Sequence, residues 1–62
     1  MTVKTQLQEI LSLITEAIQD AEKFDTGNDT AGKRVRIAAQ EAKKKLQQLR
    51  TDIQAERNAR KQ

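Results

Sequence analysis

The stretch GNDTAGKRVR, residues 27–36, separates two halves of different character. Before it the chain is acidic and rich in Ile and Leu; after it Lys and Arg take over. Gly27 is free to adopt the left-handed conformation that ends a helix. Asn28, Asp29 and Thr30 each offer a side-chain oxygen able to cap the next helix, and the sequence alone leaves open which one does. The stretch reads as a turn between two helices.

The flanking periodicity says how those helices meet. Val3, Leu7, Ile10, Ile14, Ala17, Ala21 and Phe24 recur at alternating steps of four and three, an unbroken heptad seam. With Leu7, Ile14 and Ala21 at position a, Val3, Ile10, Ala17 and Phe24 fall at d. The second half repeats this, with Gly32, Ala39, Leu46 and Ile53 at a and Val35, Ala42 and Leu49 at d. Facing residues of an antiparallel pair have position numbers with a constant sum. Phe24–Val35, Ala21–Ala39, Ala17–Ala42, Ile14–Leu46, Ile10–Leu49 and Leu7–Ile53 all sum to 59 or 60. The expectation is an all-α protein, one antiparallel two-helix hairpin over 1–62. Helix 1 spans about 3–25, the turn about 26–29 and helix 2 about 30–58, with Phe24 lying over Gly32 in a shared core.

Helix 1 carries more apolar surface than one partner covers. Leu11 and Ile18 sit at e and Leu13 at g, each forfeiting roughly 1.5–3 kcal/mol if left in water. A homodimer with Leu7, Leu11, Leu13, Ile14 and Ile18 at its interface, a four-helix bundle, uses them best. The competing arrangement is a monomer with Leu13 beneath the stem of Lys45.

Composition removes whole classes of function. In 62 residues there is no Cys, His, Trp or Tyr, so disulfides, thiolate chemistry, the usual metal ligands and most near-neutral general bases are missing. We expect no enzyme, cofactor, metal or small-molecule substrate. There is no membrane-length apolar run and no signal-peptide core, so the expected location is cytoplasmic.

The charge asymmetry is the positive signal. Residues 1–26 hold two basic and five acidic side chains, and residues 27–62 hold ten basic and four acidic, balances of −3 and +6. Arg36, Lys43, Arg50 and Arg57 occupy four successive e positions of helix 2, while Lys33, Gln40, Gln47, Gln54 and Lys61 occupy b. At about 10.5 Å per heptad these form a nearly straight ridge of about 40 Å or less, broadened by Arg34, Lys44 and Lys45. The antiparallel register sets Arg36 near Asp25, but Lys43 near Ile18, Arg50 near Leu11 and Arg57 near Lys4. Glu41 has Lys45 four residues on, and Asp52 and Glu56 offset some charge locally. Most of the ridge is left unpaired and suits an anionic partner, most commonly nucleic acid. No aromatic is free to stack on bases and the heptads do not form a helix-turn-helix, so phosphate contact without base reading is the expected mode.

GNDTAGKRVR, preceded by DAEKF and followed by AAQEAKKKLQQLRTDIQ, resembles the bacterial histone H1-like family first known from chlamydiae. It looks closest to the short, tail-less relatives in Bacteroidetes-type bacteria, over roughly residues 20–54. The resemblance implies a nucleoid-associated, chromosome-condensing protein that binds double-stranded DNA without sequence preference. The matching basic positions are Lys33, Arg34, Arg36, Lys43, Lys44 and Arg50. Longer members carry a Lys/Ala/Pro-rich tail as the evident DNA-binding element; here the sequence ends at ERNARKQ, so the helix 2 ridge, with Arg57, is expected to take that role.

The main rival is an oligomerising helical scaffold with no nucleic-acid binding, distinguished by insensitivity to salt. Binding to an anionic membrane surface is disfavoured, because helix 2 lacks a Leu- or Trp-rich outer face and Ile37 stands alone there.

Overall fold

A computed structural model of the chain describes residues 2–61. It contains two helices, α1 (Val3–Asp25) and α2 (Asp29–Arg60), folded back on each other as an antiparallel hairpin. The rod measures 54 × 15 × 13 Å. Among the described residues no helix is long and apolar enough to cross a membrane.

Local chemistry fixes both ends of α1. Thr2 Oγ1 accepts from the Thr5 N–H at 3.1 Å, satisfying one of the first-turn donors. At the other end Gly27 adopts φ 109°, and the chain closes in a Schellman motif. The Gly27 N–H donates to Phe24 O at 2.9 Å and the Asn28 N–H to Lys23 O at 3.0 Å. Asn28, one of the three candidate caps, starts α2: its Oδ1 accepts from the Ala31 N–H at 3.1 Å. Asp29 then sits in the first turn, where the helix dipole favours a carboxylate. Six residues, Lys23 to Asn28, thus reverse the chain.

Where the helices touch departs from the heptad expectation. Ile10, Ala42 and Leu49, all at d, are buried with Ala31 at g. Val3, Ala17 and Val35 at d are half-buried, as are Gln6, Leu13, Asp20, Ala38 and Asp52 at g. Position a is divided: Leu7, Ile14, Ala39 and Leu46 are exposed, and Ala21, Gly32 and Ile53 are half-buried. The seam is rotated about one heptad position, from a/d toward d/g.

Two features hold it there. Small residues at g in α2, Ala31 and Ala38, admit α1 closely on that side. Polar pairs then lock the same edge: Gln6 Nε2 donates to Asp52 Oδ2 at 2.7 Å, and Arg34 Nε to Asp20 Oδ1 at 3.0 Å. One helix covers only a narrow strip of another, so the remaining apolar residues stay outside. Phe24 does lie against Gly32: a Cβ built on that glycine would stand 2.6 Å from Phe24 Cε1. The ring is nonetheless 49% exposed, so it caps the end of the seam instead of joining a core.

Candidate nucleic-acid interface

Helix α2 is the longer element and runs past the start of α1. Residues 54–61 are all exposed, and Arg57, Arg60 and Lys61 ride on this overhang. Every basic residue singled out from the sequence, Lys33, Arg34, Arg36, Lys43, Lys44, Arg50 and Arg57, lies on α2 and is exposed. From Arg36 to Arg57 the e row is about 31 Å long at the helical rise.

Pairing differs across the set. Arg34 is held by Asp20 across the hairpin at 3.0 Å, and Arg60 by Glu56 at 3.4 Å within α2. Among the described residues no other basic side chain has a carboxylate within ion-pair distance. The expected Arg36–Asp25 and Glu41–Lys45 pairs do not form. Asp25 is the last residue of α1, and the rotated seam brings Asp20 at g toward Arg34 at c instead. This contact crosses heptad positions that an a/d alignment does not bring together, which is why sequence arithmetic missed it. Arg34 is thus paired across the hairpin, whereas Arg36, Lys43, Arg50 and Arg57 have no carboxylate within ion-pair distance.

The residues expected at a dimer interface separate into two groups. Leu7, Leu11, Ile14 and Ile18 are exposed, Leu11 by 64% and Ile18 by 52%, and follow one another along α1. Leu13, at g, is half-buried on the other flank, beside the seam. Ile14, Ala39, Ala42 and Leu46 line a shallow groove together with Lys43, Gln47 and Arg50. Of the strip and the cation row, Ile14, Lys43 and Arg50 thus share one groove.

Among the described residues the chain is a thin two-helix rod, and the e row of α2 has no carboxylate within ion-pair distance. The family model for the histone H1-like protein Hc1 matches residues 4–59, taking in nearly all of both helices. The chain belongs to the histone H1-like Hc1 family, a family of histone-like proteins and not of enzymes. No curated protein and no solved structure shows significant similarity to it.

Proposed function

We propose that the chain is a DNA-binding protein of the bacterial nucleoid that contacts the phosphate backbone through α2 and compacts or bridges duplexes. The observation that carries this is the e row: Arg36, Lys43, Arg50 and Arg57, spaced by one heptad and without acidic partners among the described residues. Membership of the histone H1-like family supports the same reading.

Such a row neutralises phosphates without reaching base edges, so binding is sequence-independent and driven by counterion release. Lys33 and Lys44 extend the contact to either side, and Arg34 contributes less because Asp20 holds it. The exposed strip Leu7, Leu11, Ile14 and Ile18 is where a second copy packs. A dimer carrying two ridges holds two duplexes, or two segments of one, at a fixed separation.

Titrating random-sequence duplex with the wild type and with Lys43→Gln/Arg50→Gln tests the assignment. The variant should bind more weakly to every duplex by the same factor. Equal affinity of the two proteins would reduce the ridge to a solvated face and favour a helical scaffold.

A further inference from the structure

The rotation of the seam decides which row of α2 faces outward. At about 100° per residue, the d and g positions that meet α1 centre on a direction opposite to b, within about 10°. The e and f positions fall about 40–60° to either side of b. The crest of α2 is therefore the b row, Lys33, Gln40, Gln47, Gln54 and Lys61, all exposed. The e cations run along one flank of this crest and Lys44, at f, stands on the other. None of the b, e or f positions from 33 to 61 is acidic; Glu41, Asp52 and Glu56 fall at c, g and d.

The crest carries a cation at each end and amides between. Gln48 and Gln54 commit their amides to Asp52 and Asn58, at 2.8 and 3.1 Å. Gln40 and Gln47 have no side-chain hydrogen-bond partner among the described residues. With Lys43, Lys44 and Gln48 they line one shallow depression at the middle of the helix. Two free amides thus lie on the midline with one lysine on each side.

This is the surface of a helix that enters a groove between two lines of negative charge. The major groove of B-DNA, about 12 Å wide, admits one α-helix, whereas the minor groove is only about 6 Å wide. A straight helix seated there meets the groove floor at its middle, and the walls curve across its ends. Amides at the middle and Lys33 and Lys61 at the ends suit that path. A carboxamide both donates and accepts, and every base pair offers an acceptor in the major groove, so such a contact selects no sequence. α1 packs behind α2 and leaves the crest clear.

We propose that α2 seats its b row in the major groove of duplex DNA, with Gln40 and Gln47 on the groove floor and Lys43 and Lys44 on phosphates of opposite strands. This seat rests on the DNA binding proposed above and adds a contact that a row of phosphate-binding cations does not supply.

Titrating random-sequence duplex with the full chain gives two readouts, the log–log salt slope and the affinity extrapolated to about 1 M salt. Gln40→Ala/Gln47→Ala should weaken binding several-fold at every salt concentration and leave the slope unchanged, because an amide releases no counterion. Lys43→Gln and Lys44→Gln should each lower the slope by about 0.9. Alanine is a better helix former than glutamine, so the double variant keeps its helices, which circular dichroism checks. Gln19→Ala, which removes an exposed amide of α1, should bind like the wild type. A Gln40→Ala/Gln47→Ala variant as tight as the wild type overturns the seat, as does an unchanged slope in Lys44→Gln.

Duplex whose cytosines carry a glucosylated hydroxymethyl group has its major groove filled. The wild type should bind it several-fold more weakly than unmodified duplex of the same sequence, and equal affinity overturns the choice of groove. Binding that ignores both the amides and the glucose leaves phosphate contact standing and overturns the seat alone. A wild type that binds neither duplex at low salt overturns the function proposed above and the seat with it.

Discussion

Gln6 and Asp52, forty-six positions apart, are joined by a hydrogen bond of 2.7 Å that closes the open end of the hairpin. Gln48 Nε2 donates to the other carboxylate oxygen at 2.8 Å. These two amides hold the Asp52 carboxyl below its ordinary value of 3.8, against a smaller opposing effect of desolvation. A folded-state pKa below the unfolded one adds stability that is fully present above about pH 3.8 and lost as pH falls through the depressed value. Thermal melting followed by circular dichroism should therefore show a midpoint that drops on acidification below pH 3.8. Asp52→Asn should remove part of that drop. A variant that acid-melts like the wild type would contradict the role given to this node.

Phe24 and Gly32 should be energetically coupled. Alanine in a helix is favoured over glycine by about 0.5–1 kcal/mol, but here a new Cβ meets the Phe24 ring. Gly32→Ala should stabilise by roughly that amount in a Phe24→Ala background and by clearly less in the wild type. A double-mutant cycle from thermal melts measures the difference. Equal effects in both backgrounds would mean the ring yields without cost.

The turn rests on two residues with separate roles. Gly27→Ala forces a Cβ into φ 109°, costing roughly 1–2 kcal/mol. Asn28→Ala removes the cap on Ala31 N–H, costing about 0.5–2 kcal/mol, while Asn28→Ser should cost much less. Chemical denaturation of the three variants checks the order.

Arg34 and Arg36 are two positions apart and should behave differently. Arg34→Gln breaks the pair with Asp20, an exposed contact worth about 0.2–1 kcal/mol of stability, and should change duplex binding little. Arg36→Gln should leave stability unchanged and lower the salt slope of duplex binding by about 0.9. Parallel melts and titrations separate them. A larger loss of binding from Arg34 would contradict the assignment of the free row as the phosphate contact.

The hairpin was legible because its signals are local. Gly27 and Asn28 punctuate the chain, and steps of four and three mark a helical stripe whatever the partner. The rotation of the seam was not legible. It depends on Ala31 and Ala38 admitting α1 on one side, and on Gln6 finding Asp52 across the pair, which are tertiary facts. For the same reason Leu11, Leu13 and Ile18 looked alike from the sequence, as flanks of one stripe. The fold sends Leu13 toward the seam and leaves Leu11 and Ile18 outside. Residues seven apart on α2 stay aligned wherever α1 packs, so the e positions do not depend on this rotation.

The most direct test of the central claim is the salt dependence of binding to random-sequence duplex DNA. Four phosphates neutralised per chain predict a log–log slope of about −3.6, and about twice that where a dimer engages both rows. A slope in that range, unchanged by duplex sequence, is the expected result. Binding that is absent at low salt, or present with a slope near zero, would contradict it and leave the ridge as a solvated face of a helical interaction module.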